Sequence, residues 1–240
     1  MAELIMQSFG GRANESIEQT QKRLQKEGSW KKQRIIVLLP ASNSISTKVM
    51  LSHWNLMFPP NQAVVKIMAI GMEVGAAYSE AIEGILAHPE LSKWEYILTL
   101  EHDNMPPPDG VLKLIKDMEE HPELDCIGGL YYTKGDTGVA QIWGDKSDPV
   151  VNFRPVPPDP NGGLVETYGT GMGFNLWRMK MFKDNELPRP LFKTLTGAEG
   201  QGLMTQDLYF WANAQKLGYR CAVDCSIHTG HYDQENDIVY

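Results

Sequence analysis

Residues 96–104, YILTLEHDN, decide how the rest of the chain is interpreted. Five largely apolar, strand-forming residues run directly into two carboxylates, and Pro106–Pro108 then end the strand. Because side chains alternate faces along a strand, Glu101 and Asp103 are expected to point one way and His102 the other. Two like charges held this close resist joint ionisation unless a cation lies between them. The pattern predicts a divalent metal site at the carboxyl end of a sheet strand; a solvated acidic loop is the alternative.

Length and composition fit one globular domain. At 240 residues the chain can bury the core of a single α/β domain, and a net charge of -8 argues against a surface coated in basic residues for nucleic acid. The sequence contains no apolar run of membrane-spanning length and no signal-peptide pattern. Three cysteines suit a reducing compartment. We therefore expect a cytoplasmic protein (in the host cytoplasm if it is viral) without a membrane partner.

Strand-like and helix-like patterns alternate along the chain with short connections. The expected strands are 34–39, 63–70, 96–101, 125–131 and 219–224, and the expected helices are 46–57, 75–88, 108–120, 178–183 and 208–217. This alternation favours one α/β domain with a mostly parallel sheet and helices on both faces. Residues 133–165 are rich in Gly, Asp and Pro, which is typical of a substrate-facing loop or lid.

The two ends of the chain are expected to lie outside this domain. Residues 1–33 are interpreted as a polar and basic lead, irregular to residue 13 and helical over 14–27, and residues 233–240 as a C-terminal tail. The most basic segment runs from the lead into the first strand and contains Lys22, Arg23, Lys26, Lys31, Lys32 and Arg34. They form either a solvated face or a surface for an anionic partner.

Four pieces of the sequence together resemble the GT-A glycosyltransferases, particularly the large family of inverting nucleotide-sugar transferases. They are PASN at 40–43, EHD at 101–103, TGMGFNLWR at 170–178 and QDLYFWANAQKLGYRCAVDCSIHTGH at 206–231. The resemblance covers residues 34–232. It implies a GT-A, Rossmann-like fold and transfer of a sugar from a nucleotide-diphosphate sugar to an acceptor hydroxyl, with inversion as the expected stereochemistry.

The resemblance also implies a metal site. In that family a D-x-D motif holds a divalent metal against the nucleotide diphosphate; here Asp103 matches its second acid and Glu101 replaces its first. A hard cation with oxygen ligands absorbs the charge of the leaving diphosphate, which suits Mn²⁺ or Mg²⁺ better than zinc. The histidine after the last strand completes the family's site. His231 matches that place, and His228 is its competitor.

Asp207 matches the acid that opens the family's acceptor-side helix. Many members carry Glu-Asp there, whereas this chain has Gln206-Asp207, so the first acid is missing. As a catalytic base, Asp207 would accept the proton of the acceptor hydroxyl. The alternative is a helix cap stabilised by the helix dipole.

The remaining candidate residues concern the donor. The resemblance implies that Pro40, Ala41 and Ser42 contact the nucleoside, mainly through backbone groups. It also implies that Glu73 contacts the base and that His102 makes a further contact with the nucleotide. Gly169, Thr170 and Gly171 match the loop that faces the donor sugar and the acceptor. Relatives tend to carry Ala-Arg-Asn where this chain has AYS at residues 77–79. The resemblance therefore says less about which nucleotide is bound. A UDP-sugar is the expected donor. Trp143 and Trp177 could stack on a sugar or base, with core packing favoured for Trp177.

Two other functions compete with glycosyl transfer. A sugar nucleotidyltransferase shares the layered α/β pattern, but no Gly-rich loop bearing Arg or Lys follows the first strand. A non-catalytic nucleotide- or carbohydrate-binding module of the same fold is favoured if Glu101 and Gln206 mark a decayed site. The acceptor is a glycan, a small molecule or modified DNA. Compact versions of this fold resemble those carried by phages, where hydroxymethylated DNA bases can be acceptors.

Overall fold

The computed structural model describes residues 3–9, 19, 22, 35–60, 62–136, 138–197 and 202–240. The strands in these ranges are β1 (Glu3–Phe9), β2 (Ile35–Ala41), β3 (Val64–Ile70), β4 (Tyr96–Leu100), β5 (Asn104–Met105), β6 (Cys126–Leu130), β7 (Ile142–Asp145), β8 (Leu164–Thr170), β9 (Phe174–Arg178), β10 (Leu195–Thr196), β11 (Gly202–Met204), β12 (Cys221–His228), β13 (Gly230–Asp233) and β14 (Ile238–Val239). The helices are α1 (Thr47–Trp54), α2 (Val74–Ala87), α3 (Gly110–Glu120), α4 (Met179–Phe182) and α5 (Gln206–Ala214), with short 3₁₀ helices at Leu91–Lys93 and Gln215–Leu217.

Nine of these strands form one sheet in the order β1-β3-β2-β4-β9-β6-β12-β8-β7. Strands β3, β2 and β4 pair in parallel, as do β6 and β12, whereas β1, β9 and β8 run the opposite way. Most strands therefore share one direction. Because β9 is inserted between β4 and β6, however, antiparallel pairings outnumber parallel ones. The α/β class and the single domain are confirmed, with a sheet more mixed than the pattern predicted.

Helices pack on both faces of this sheet, as predicted. On one face α2, α4 and α5 pack around an aromatic cluster formed by Trp177, Phe182, Phe192, Phe210 and Trp211. On the other face α3 contributes its apolar stripe, Val111, Leu114, Ile115 and Met118, to a mainly aliphatic core. Because helices cover both faces of the sheet, the ends of its strands are left for ligand binding.

The site-bearing residues follow strands that end at the same edge of the sheet. Strands β2, β3, β4, β6 and β12 all point in one direction, so their carboxyl ends lie side by side. Ser42 follows β2, Glu73 follows β3, Glu101 follows β4, Lys134 follows β6 and His231 follows β12. Residues distant in sequence are thereby brought to one edge.

A small sheet of order β14-β13-β5 fixes the segment after Asp103. Asn104 lies opposite His231 in the β5–β13 pairing, and the Tyr232 N–H donates to the Asp103 carbonyl at 2.7 Å. The main chains of His231 and Tyr240 exchange two hydrogen bonds of 3.0 Å. Part of the predicted tail, 233–240, therefore folds back on the strand that carries His231.

The N-terminal region differs from the expectation of an irregular lead. Residues Glu3–Phe9 form β1, which pairs antiparallel with β3 from Glu3 opposite Ile70 to Phe9 opposite Val64. A strand can join a sheet edge largely through main-chain hydrogen bonds, which leave little signal in the side-chain pattern. Within the predicted helix 14–27 the structure describes Gln19 and Lys22, both helical; the rest of that helix and of the basic lead lies outside the described residues.

Among the helices in the described ranges, none combines the length and apolar character that crossing a membrane requires.

Candidate functional site

A cavity of about 350 Å³ opens at the carboxyl edge of the sheet, beside the end of β4. Its lining consists of Pro40, Ala41, Ser42, Met72, Val74, Glu101, His102, Asp103 and Gln206. The predicted nucleoside loop at 40–42 and the predicted acidic pair thus line one concave site. Its volume lies within the range of small-molecule sites in proteins.

The acidic pair is presented by a turn, so the expected strand geometry was wrong at this point. Strand β4 ends at Leu100, and the Asn104 N–H donates to the Glu101 carbonyl at 3.2 Å. Side chains in a turn do not alternate faces as they do in a strand. His102 therefore lines the same cavity as Glu101 and Asp103 instead of pointing away.

Glu101 is held between a tyrosine and other acids. The Tyr78 hydroxyl donates to its Oε1 at 3.2 Å, and the Glu101 N–H donates to the Gly173 carbonyl at 3.0 Å. Burial, followed by the negative charges of Asp103 and Asp207, raises the pKa of Glu101 to about 8. Without a cation, Glu101 therefore carries its proton at neutral pH while Asp103 is ionised.

Asp103 has two nitrogen-bearing partners on one oxygen. Lys134 Nζ lies 2.6 Å and His231 Nε2 lies 3.3 Å from Asp103 Oδ2. Burial alone would raise the pKa of Asp103, but the hydrogen bonds from His231 and Lys134 outweigh it and hold that pKa well below its usual range. Asp103 is consequently the permanent negative charge of the cavity.

His231 has the geometry of a metal-ligating histidine. Its Nδ1 lies 2.7 Å from the Tyr132 carbonyl, which can only accept, so Nδ1 carries a proton. The other nitrogen, Nε2, hydrogen bonds to Asp103 in this conformation, and it is the atom that would bind a cation in place of that bond. Carboxylate oxygens beside such a nitrogen fit Mn²⁺ or Mg²⁺. His228, the competing candidate, ends β12 with an exposed side chain.

The predicted ligands are engaged with other groups in this conformation. Among the residues that the structure describes, no three His, Cys, Asp or Glu side chains converge closely enough to form a metal site. In this conformation Glu101 is hydrogen bonded to Tyr78 and Asp103 to Lys134. Cation binding would require Asp103 to exchange Lys134 for the ion, whereas the Tyr78 hydroxyl can stay on Glu101.

Asp207 lies in the first turn of α5, buried and close to the acidic pair. Its Oδ1 accepts the Leu208 N–H at 2.9 Å, a helix-start amide that would otherwise lack a partner. Burial raises the pKa of Asp207 although hydrogen bonds, first that of Thr205, oppose the rise. Asp207 thus contacts its own helix start, as a cap would, and also has the raised proton affinity that a base requires.

Two other predicted groups lie apart from the cavity lining. Glu73 caps α2 by accepting the Ala76 N–H at 2.9 Å, and its other oxygen accepts the Thr194 hydroxyl at 2.9 Å. Gly169, Thr170 and Gly171 are buried behind the site. The Thr170 carbonyl accepts the Trp211 indole N–H at 3.1 Å. These three residues therefore belong to the packing around Trp211 and not to the described lining of the cavity.

Sequence reasoning missed three residues of the site. Tyr78 holds Glu101, Lys134 holds Asp103, and the Tyr131 hydroxyl accepts the Gly173 N–H at 2.9 Å. Lys134 had a usable signal, because it opens the irregular stretch 133–165 that was predicted to face a substrate. The tyrosines had none, since they contact residues far away in sequence.

A larger cavity of about 690 Å³ is lined by residues of β2, β3 and α1 and of the segment between α1 and β3. Its described lining residues are mainly apolar; they include His53, Gln62 and Lys66 but no carboxylate. A divalent cation prefers oxygen ligands with negative charge. The smaller, acidic cavity is therefore the candidate functional site.

The pKa of Glu101 predicts a pH-dependent stability. Its folded-state pKa of about 8 lies above the ordinary 4.5, so the folded state binds the proton more tightly and stability falls as pH rises from the lower value through the higher. Replacing Glu101 by Gln removes this dependence. Between pH 5.5 and pH 8.5 the unfolding free energy of the variant should therefore rise relative to that of the wild type by about 3 kcal/mol, measured by urea unfolding.

The control for that measurement is Glu120→Gln, which changes an exposed acid paired with Lys116 at 3.7 Å. It should follow the wild-type pH profile. If the Glu101→Gln profile runs parallel to that of the wild type, the proposed environment of Glu101 is wrong.

No protein-family model and no curated protein sequence matches the chain. Solved structures do match, among them the crystal structure of A197 from STIV, with a TM-score of 0.56 and 17% sequence identity. The match covers 86% of this chain and 93% of A197. At this identity the likeness shows the fold alone, a mixed α/β domain compatible with a Rossmann-like arrangement.

Proposed function

We propose that the protein is a metal-dependent glycosyltransferase of the GT-A type. It would move a sugar from a nucleotide-diphosphate sugar, with a UDP-sugar as the expected donor, to an acceptor hydroxyl. The observation that supports this best is the single cavity that joins the 40–42 loop to Glu101 and Asp103, with His231 beside Asp103. A loop for the nucleoside and acids for a cation are the two parts that binding such a donor requires.

Asp103, His231 and Glu101 would hold Mn²⁺ or Mg²⁺. When bound, the cation neutralises the charge that develops on the departing diphosphate. Asp103 supplies a constant negative charge, because its pKa lies far below neutrality. Glu101 would release its proton to become a ligand, and the nearby Tyr78 hydroxyl stabilises the resulting carboxylate.

The nucleoside would be held by the loop after β2. The Ser42 hydroxyl already donates to the Ser44 carbonyl at 2.9 Å, so its side chain is engaged within the loop. Pro40 and Ala41 also line the cavity and carry no polar side-chain group, so any polar contact from them would come from the main chain. This supports recognition by main chain, as the family resemblance implies.

Asp207 is proposed as the base. The oxygen of the acceptor hydroxyl forms a bond to the anomeric carbon while the bond from that carbon to the diphosphate oxygen breaks. The hydroxyl proton passes to Asp207, and the diphosphate departs with the bonding electron pair. A raised pKa and burial suit Asp207 to this step, because a weakly solvated carboxylate is the stronger base.

A donor panel tests the proposal. The protein is incubated with UDP-, GDP-, ADP- and dTDP-sugars, with Mn²⁺, Mg²⁺ or EDTA, and release of nucleoside diphosphate is measured. We expect metal-dependent release from one nucleotide class, increased by the correct acceptor. The acceptor series includes simple glycans and DNA carrying hydroxymethylpyrimidine, and the latter tests the modified-DNA hypothesis.

Three other outcomes would contradict the proposal. Pyrophosphate release from a nucleoside triphosphate and a sugar phosphate would identify a nucleotidyltransferase. Binding of a nucleotide sugar without turnover under any acceptor would identify a binding module. Absence of both binding and turnover would refute the nucleotide-sugar assignment.

A further inference from the structure

Lys134 lies where the proposed cation would have to act. Its ammonium is 2.6 Å from Asp103 Oδ2, and the Lys134 side chain is 35% exposed whereas that of Asp103 is 22% exposed. The acid is therefore the more buried partner, and the lysine reaches it from the solvent side. The same oxygen also faces His231 Nε2 at 3.3 Å.

The loop that carries Lys134 is fixed at its base and open at Gly135. Thr133 and Val139 are joined by two hydrogen bonds, and the Gln141 N–H donates to the Tyr131 carbonyl at 2.9 Å. Beyond this base Lys134 precedes Gly135, which has a φ of +107° and no neighbouring atom within 4 Å of an added Cβ. Open space beside Gly135 and the 35% exposure of the Lys134 side chain leave room for that side chain to change partners while the loop base stays fixed.

A divalent ion bound at Asp103 would repel the Lys134 ammonium, which lies 2.6 Å from Oδ2 of the same carboxylate. This repulsion would displace the ammonium from Asp103. A diphosphate beside the ion then offers anionic oxygens within reach of a flexible lysine, and lysine is a common phosphate-binding residue.

We propose, on the basis of the proposed function, that Lys134 is a diphosphate-binding residue that occupies Asp103 in the free protein and transfers to the diphosphate when the divalent cation takes Asp103. Lys134 then has two opposite effects. It competes with the cation for Asp103, and it strengthens binding of the nucleoside diphosphate.

Replacing Lys134 by Met separates these effects. Mn²⁺ alone is titrated and followed by the electron paramagnetic resonance of the free ion; UDP, GDP, ADP and dTDP are then titrated calorimetrically at saturating Mn²⁺. We expect Mn²⁺ to bind about threefold more tightly to the variant, since a competing surface ion pair is gone. The preferred diphosphate should bind about tenfold more weakly, since a charge-assisted contact is lost.

Two further variants serve as controls. Lys93→Met removes a similar exposed ion pair, with Glu90 at 3.0 Å, but Lys93 precedes β4 and so lies about 16 Å from Glu101 at the opposite end of the strand. It should change neither affinity. Lys134→Arg keeps the positive charge and should retain most of the diphosphate affinity.

Opposite shifts of the two affinities would support the inference. Equal weakening of both, or no change in either, would overturn it while leaving the proposed function intact, provided that the wild type binds one of the diphosphates. If the wild type binds none of them at saturating Mn²⁺, the proposed function fails and the inference fails with it.

Discussion

Replacing Asp103 by Asn is expected to reduce metal-dependent release of nucleoside diphosphate by at least about 100-fold. Asp103 is the one acid of the pair that is ionised at neutral pH without a cation, because His231 and Lys134 hold its pKa far below neutrality. An amide of the same shape has no charge and coordinates a divalent ion weakly. The measurement is turnover in the donor panel at saturating Mn²⁺.

The substitution should leave the fold intact, since the main chain of Asp103 still accepts the Tyr232 N–H at 2.7 Å. Thermal unfolding of the variant checks this point. The matched control is Asp109→Asn, an exposed acid paired with Lys113 at 3.1 Å just beyond Pro106–Pro108. Asp109→Asn should keep wild-type turnover. If Asp103→Asn also keeps more than about a third of it, the candidate site is not the site of chemistry.

The second large effect concerns stability. Trp177→Ala is expected to lower the free energy of unfolding by about 3–5 kcal/mol. Trp177 is fully buried, its ring stacks on Trp211 with centroids 5.2 Å apart, and its indole N–H donates to the Thr99 hydroxyl at 3.0 Å. Removing the indole leaves a cavity at the centre of the aromatic cluster and a hydroxyl without its donor. Urea unfolding measures the change.

Trp54→Ala is the control for that measurement, because the Trp54 side chain is 81% exposed at the end of α1. Its substitution should change the unfolding free energy by no more than about 0.5 kcal/mol. Comparable losses for Trp54 and Trp177 would contradict the described packing. The comparison also tests the prediction that Trp177 is a core residue and not a sugar-stacking platform.

The site depends on this core as well as on its own residues. Trp211 stacks on Trp177 and also donates to the carbonyl of Thr170, in the buried 169–171 segment. Gly173, a few residues further on, binds the main chain of Glu101 and the hydroxyl of Tyr131. A Cβ at Gly173 would lie 2.5 Å from Asn104 Oδ1 and 2.7 Å from Tyr131 Cζ. Glycine is therefore required there by close packing behind the acidic pair.

The sequence alone determined the elements and the approximate place of the site. The apolar run of β4, its termination by acids and prolines, and the alternation of strands and helices are local patterns, and local patterns follow from side-chain periodicity. They were sufficient to place β2, β3, β4 and α5 and to select Glu101 and Asp103. The 40–42 loop, which lines the same cavity, was selected through the family resemblance.

Only the tertiary structure decided which groups those acids contact. β1 joins the edge of the sheet, residues 101–103 form a turn, and Tyr78 and Lys134 bond to Glu101 and Asp103 from positions 23 and 31 residues away. Such contacts depend on strand order and loop path, which local periodicity does not encode. The same long-range packing sets the burial and neighbouring charges that give two adjacent carboxylates opposite pKa shifts.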